Sequence, residues 1–357
     1  MNKRKRQKLR WKEKQNKKNL IKRTIRKKYK KGLKILKLLS KRDLSKKKTY
    51  NKEKNELIFT AHKNFSIINN PKDNINYFNN IIRMISNKYT QKTNVFFDIS
   101  PVEEISIDAI MYMLAVVKNT KIAHNSKGNL PKDKIAAELF IQSGFLKYVN
   151  NFKNIVTPNS ENNIQIKMNQ NPDNNRKICK EILQFLIKKL KIKKESLKFL
   201  YNMLSELMLN TNEHAYNSSN ELLTYWYLFI ELETNIVKIS FLDTGDGIPY
   251  TINRKFHEKL GIVKDADLII SALEGNFKRT KTQKAYRGKG LPKISSYIIA
   301  GKINNFKIVS GNGLVCYNEE KQSYVSINID KKLIGTLYYW EINLTSLLEE
   351  GSNDDRN

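Results

Sequence analysis

Glu206-Leu207-Met208-Leu209-Asn210-Thr211-Asn212-Glu213-His214-Ala215 is the stretch around which the rest of the chain is arranged. Leu197, Leu200, Leu204, Leu207 and Met208 recur at helical spacing, which predicts a half-buried helix. Glu206 and Asn210 stand four residues apart and therefore share one face. A carboxylate and a carboxamide one turn apart suit a hard cation and its water. Two glycine-punctuated junctions follow. Asp243-Thr244-Gly245-Asp246-Gly247-Ile248-Pro249 comes directly after the apolar strand Ile236-Val237-Lys238-Ile239-Ser240-Phe241-Leu242. Arg287-Gly288-Lys289-Gly290-Leu291 opens another helix.

Working outward, a chain of 357 residues exceeds one ordinary core and predicts two domains with appendages. With 40% apolar residues it can fill both cores. Cys179 and Cys316 are too far apart in sequence for a disulfide framework or a metal-ligand spacing, which points to a reducing, cytoplasmic setting. His62, His124, His214 and His257 are scattered, against a zinc site. No run reaches the roughly 18 apolar residues of a membrane span, and the N-terminus lacks the apolar segment of a secretion signal.

The formal charge of +32 is concentrated at one end. Residues 1–50 carry 24 lysines and arginines against Glu13 and Asp43. About two-thirds of the imbalance thus sits in a seventh of the chain, a distribution that a general lysine-rich bias does not produce. Such a block is an arm for polyanions, and contact with nucleic acid or a nucleoprotein is the leading expectation. A solvated tail and an anionic membrane surface are the alternatives. Leu20, Ile21, Ile25 and Tyr29 leave a partial apolar stripe, consistent with a helix that orders on phosphates, and Trp11 and Tyr29 are available to stack on bases.

Residues 51–156 alternate strand and helix signals and predict a small α/β domain. Phe65-Ser66-Ile67-Ile68 and Asn94 to Ser100 read as strands, while Ile75 to Tyr89, Ile105 to Lys118 and Lys134 to Ser143 read as helices, the last closed by Gly144. Residues 157–175 form an Asn-rich connector holding one short strand, Ile164 to Met168. Residues 176–346 make the second domain: helix Lys177 to Leu190, the Glu206 helix, and strands Leu222 to Glu233, Ile236 to Leu242, Phe306 to Ser310, Tyr324 to Ile329 and Thr336 to Leu344 in a mixed sheet. Residues 347–357 are an acidic, frayed tail. The fold class is α/β in the broad sense, α+β in detail.

Phe97-Asp98-Ile99-Ser100-Pro101-Val102-Glu103-Glu104-Ile105 resembles the strand-to-helix turn of STAS domains, and Ala137-Glu138-Leu139-Phe140-Ile141-Gln142-Ser143-Gly144-Phe145 resembles their closing helix. The family's phosphate-accepting serine pair corresponds to Ser106-Ile107-Asp108-Ala109 here, so the resemblance implies docking to a protein partner more than an active site. Asp98 and Asp108 read as helix and turn caps.

In the second domain, Asp243 at a strand end is placed to accept from a purine's exocyclic amine, with Gly245 and Gly247 letting the backbone approach the ring. Gly288 and Gly290 leave amides free to wrap phosphates at a helix start. Between the junctions, Lys278, Arg279, Lys281 and Lys284 mark a phosphate-facing lid. The ordered set resembles the GHKL ATPases. Glu206 to Asn210 is similar to their N-box, and Glu213-His214-Ala215 to its continuation in the anti-sigma serine kinase branch. Asp243 to Gly247 resembles the first glycine box, Gly288-Lys289-Gly290-Leu291 the second, and Gly335-Thr336 the turn into the last strand. The resemblance implies ATP and magnesium as cofactors, Asn210 as the metal ligand and Glu206 as the catalytic group. It also implies nucleotide contacts from His214, Asp243, Gly245, Gly247, Ile248 and Thr336, and from the lid and second-box residues Lys278, Arg279, Lys281, Arg287, Gly288, Lys289, Gly290 and Leu291. His214 also reads as a packing or capping group, and Arg287 and Lys289 as solvated loop charges. Pro292 stands where many relatives carry glycine.

The leading function is an ATP-driven conformational switch acting on nucleic acid or a nucleoprotein through the arm, with a homodimer and a protein partner on the STAS-like half as further expectations. A protein serine kinase is the runner-up, and a non-enzymatic nucleic-acid-binding protein with a vestigial pocket the most distant alternative.

Overall fold

The structure, a computed structural model, describes residues 50–51, 56–85, 94–119, 126–149, 162–214, 225–252, 264–276 and 290–345. The basic arm to residue 49 and the tail from 347 lie outside the described residues. These divide after Ile58. Before that point β1 (Tyr50–Asn51) pairs antiparallel with the start of β2 (Glu56–Thr60), Tyr50 opposite Leu57. From Phe59 onward they form one compact unit.

That unit begins with β3 (Asn64–Phe65), α1 (Pro71–Ile85), β4 (Asn94–Asp98), β5 (Glu104–Ile105), α2 (Ile107–Asn119), β6 (Ser126–Gly128) and α3 (Lys134–Gln142). β3 runs parallel to β5, and β4 parallel to β6. Pro71 sits in the first turn of α1, where its missing N–H costs nothing, and Ile75, Phe78, Ile81 and Ile82 turn one stripe into the core. α3 is capped by Asp133, which accepts from the Ala136 N–H at 2.9 Å, and Gly144 closes it at φ 80°.

The second half supplies a five-stranded sheet of order β10-β11-β9-β8-β7: β7 (Asn163–Asn169), β8 (Trp226–Leu232), β9 (Ile236–Asp243), β10 (Asn304–Asn318) and β11 (Ser323–Asn343). Every neighbouring pair is antiparallel, which corrects the mixed sheet expected from sequence. β8 turns into β9, and β10 into β11, through short connections that only antiparallel partners permit. Phe306 to Ser310 does not end at Gly311 and Gly313 as the glycines suggest. β10 runs on through them. A Cβ at Gly313 would lie 2.7 Å from the Ala266 backbone, so the glycines let a helix lie directly on the strand. Likewise Tyr324 to Ile329 and Thr336 to Leu344 are one strand, β11.

Among the described residues, five α-helices accompany this sheet: α4 (Pro172–Leu190), α5 (Lys198–His214), the single turn α6 (Ile248–Thr251), α7 (Asp265–Leu273) and α8 (Gly290–Ile299). The Asn-rich connector serves as hydrogen-bonding joinery: Asn171 caps α4 by accepting the Asp173 N–H, and the buried Asn175 Oδ1 accepts from both Asn169 Nδ2 and Trp226 Nε1, all at 3.0 Å.

Side chains on alternate strand positions serve two different cores. Trp226, Leu228, Ile239, Phe241 and Trp340 pack with Leu186 of α4, Leu204 and Leu207 of α5, Leu268 of α7 and Ile294 of α8. Tyr227, Phe229, Leu242 and Leu337, on the opposite face, pack with Phe78 and Ile81 of α1 and Ile110 and Leu114 of α2. α2 is enclosed on all sides, which explains its apolar run from Ala109 to Val117. The stretches 51–156 and 176–346, read from sequence as separate domains, therefore share a core from Phe59 onward. The first covers one face of the second's sheet, and the fold is helix–sheet–helix, α+β.

Candidate functional site

β9 ends at Asp243, which stands opposite Thr336 of β11 and Trp226 of β8. The Asp243 carboxylate accepts the Gly245 N–H at 2.7 Å, and a Cβ at Gly245 would sit 3.0 Å from the same carboxylate oxygen. Thr244 is completely buried and locks the strand end: its Oγ1 accepts from the Tyr225 N–H at 2.9 Å and donates to the Tyr225 carbonyl at 3.1 Å. Gly247 adopts φ 86° to swing the chain into α6, a backbone region that side chains disfavour.

The Ile248 N–H that opens α6 donates to Ser310 Oγ at 3.0 Å. That hydroxyl also lies 3.1 Å from the Gly335 carbonyl oxygen and 2.9 Å from Thr336 Oγ1. Gly335, at φ 98°, presses against Asp243 so closely that a Cβ would lie 2.0 Å from the Asp243 carbonyl oxygen. Asp243, Gly245, Gly247, Ile248 and Thr336 thus converge on one strand-end turn. Burial pushes the Asp243 carboxyl up to about 7, with the Gly245 N–H acting against the rise and Asp246 adding to it.

The helix α5 forms over the Glu206 stretch as expected, with Leu204, Leu207 and Met208 inward and Glu206 and Asn210 partly exposed. Gly290, the first residue of α8, meets both: a Cβ there would lie 3.1 Å from Glu206 Oε2 and 3.5 Å from Asn210 Nδ2. Leu291 packs on the adjoining core, and Pro292 occupies the first turn of α8, its ring over Gly275. Leu207, Met208, Ile248, Ile294 and Phe241 belong to one apolar cluster, so both groups of site residues lie on the same face of the sheet. Lys278, Arg279, Lys281, Arg287, Gly288 and Lys289, and the His214 side chain, lie outside the described residues.

The described groups fit a magnesium nucleotide. At Gly245 and Gly290 a Cβ would crowd Asp243 and Glu206, so the missing side chains leave cradles beside the carboxylates. A neutral oxygen from Asn210 suits an ion that takes most of its ligands from phosphate and water. Among the described residues no three His, Cys, Asp or Glu side chains group into a metal site of their own.

In the N-terminal half, two carboxylates do structural work. Asp108 accepts from Ser66 Oγ at 3.2 Å and from the Ile67 and Ile68 N–H groups at 3.3 and 3.0 Å, tying the β3 turn to the start of α2. Asp98 accepts from Asn129 Nδ2 at 2.8 Å and Ser100 Oγ at 2.6 Å. Both act as caps.

Ser310 escaped the sequence reading. Its signal was a hydroxyl ending the strand-like stretch Phe306-Lys307-Ile308-Val309, immediately before a glycine. The sequence matches no known family model and no curated protein.

Proposed function

We propose that this chain binds magnesium-ATP in the manner of GHKL ATPases and uses it as a conformational switch. The observation that carries this is the convergence of Asp243, Gly245, Gly247 and Thr336 on one turn, on the same sheet face as Glu206, Asn210 and Gly290. Asp243 holds the adenine amine, the two glycines admit the ring, and Thr336, opposite Asp243, fixes the strand end. Asn210 holds the magnesium ion, and the start of α8 receives phosphate, where the helix dipole and free amides favour an anion. Bound magnesium supplies charge neutralisation at the phosphates. Glu206 orients or deprotonates the water or hydroxyl that attacks the terminal phosphoryl group. The arm of residues 1–50 carries the contact with nucleic acid or a nucleoprotein, and the nucleotide state governs that engagement.

The test is thermal unfolding with and without magnesium-ATP. At a ligand concentration near 100 times Kd the fold gains about 2.7 kcal/mol. Asp243→Asn is expected to erase that gain, and a variant stabilised as much as the parent would refute the nucleotide site.

A further inference from the structure

We propose that Tyr112, on the central helix of the N-terminal half, is a positioning residue for the nucleotide site on the far side of the sheet. The inference rests on the nucleotide reading and extends it to a residue that touches no ligand. Ser310 pairs with Thr336 in the β10–β11 ladder, while the next residue, Gly311, pairs with Leu333. Ile334 and Gly335 therefore bulge out of β11 with no opposite residues, and their backbone polar groups lose ladder partners.

Three of these four groups are recovered by side chains. The Tyr112 hydroxyl donates to the Ile334 carbonyl and accepts from the Ile334 N–H, both at 3.2 Å. The Gly335 carbonyl lies 3.1 Å from Ser310 Oγ, the same hydroxyl that receives the Ile248 N–H. Tyr112 is fully buried, its ring 4.9 Å from that of Phe78, so the hydroxyl has no freedom to wander. From the same helical layer, Asn79 Nδ2 of α1 donates to the Lys332 carbonyl at 2.9 Å, and the Lys332 ammonium stands 5.7 Å from the ring centre of Tyr250 in α6.

The bulge is what presses Gly335 onto Asp243 and puts Thr336 opposite it. Tyr112 satisfies both polar groups of the residue just before. Without the hydroxyl, Ile334 can regain partners only by shifting, and Gly335 and Thr336 shift with it. The N-terminal helical layer is thus part of the nucleotide-binding device, and a partner docked on that layer has a direct mechanical route to ATP affinity.

The experiment is titration of full-length parent, Tyr112→Phe and Tyr77→Phe with magnesium-ATP, alongside thermal unfolding without ligand. Tyr77 is a matched control: it is also buried, and its hydroxyl donates to the Phe59 carbonyl at 3.3 Å, away from the bulge. Loss of Tyr112's hydroxyl is expected to weaken ATP about fivefold or more, while Tyr77→Phe lowers the melting temperature comparably and leaves affinity unchanged. Equal affinity for parent and Tyr112→Phe, or equal weakening by both variants, overturns the role of Tyr112 alone. Absence of ATP binding by the parent overturns the nucleotide reading and this role with it. If Tyr112→Phe does not fold, Asn79→Ala, which frees the Lys332 carbonyl from the same layer, is expected to weaken ATP about twofold, and unchanged affinity counts against the proposal.

Discussion

Asp243 and Thr336 face each other across adjacent antiparallel strands, with Gly335 wedged against the carbonyl of the first. The pairing places a carboxyl group whose pKa burial raises to about 7 beside a buried hydroxyl, where β8, β9 and β11 meet next to the single-turn helix α6.

The first prediction concerns pH. An aspartate raised from 3.8 to about 7 is mostly protonated at pH 6 and mostly ionised at pH 8. The charged carboxylate accepts from an exocyclic amine more strongly than the protonated acid does, so ATP affinity is expected to fall from pH 8 to pH 6, by at most about tenfold. The stability effect has the opposite sign. A raised acid binds its proton more tightly in the fold, so its contribution is complete below 3.8 and is lost as pH rises through about 7. Nucleotide-free unfolding should therefore show parent stability declining between those values relative to Asp243→Asn. A constant difference between the two would contradict the shift.

Ser310 is expected to matter for both fold and ligand. Ser310→Ala leaves the Ile248 N–H and the Gly335 carbonyl without their common partner in a buried site. Such losses cost about 1–3 kcal/mol. Urea unfolding measures this, and a midpoint matching the parent's would show that the hydroxyl is dispensable.

Two glycines with positive φ separate space from backbone strain. Gly335 at φ 98° has the Asp243 carbonyl where a Cβ would go, whereas Gly301 at φ 67° has nothing within 4 Å. Gly301→Ala should cost about 1 kcal/mol, the backbone effect alone. Gly335→Ala adds a backbone clash and should cost several-fold more, up to loss of folding. Equal costs would mean that β11 slides away from β9 freely.

Glu206→Gln should keep ATP binding and lose phosphate release by about a hundredfold or more, the usual contribution of a positioned proton acceptor. Turnover equal to the parent's would remove Glu206 from the chemistry while leaving the pocket standing.

Deleting residues 1–48 should abolish retention on DNA or RNA, and the parent's retention should weaken steeply between 50 and 200 mM salt, as phosphate contacts do. Retention that survives deletion would move the contact elsewhere.

Local signals made much of the framework legible. The helices around Phe78, Ile110 and Leu204 follow from apolar content and spacing, and Gly144 marks a helix end; Asn171, read as connector, instead caps a helix that begins at Pro172 and not at Lys177. The run Trp226 to Ile230 is continuously apolar because both sheet faces are covered, a pattern that signals a buried strand without saying what covers it. Gly311 and Gly313 misled for a related reason. A glycine reads as a break, and only a helix lying on the strand shows that it is a point of close approach.

By itself the sequence determined the elements, the charged arm and the order of the three candidate boxes, because propensity, periodicity and capping act over a few residues. Tertiary structure alone decided that the sheet is antiparallel, that the N-terminal half forms its second helical layer, and that Ser310 bonds the start of α6 while Tyr112 bonds Ile334 of β11. Those outcomes depend on contacts between residues far apart in the chain, where burial and hydrogen-bond satisfaction are settled by what the rest of the fold brings alongside.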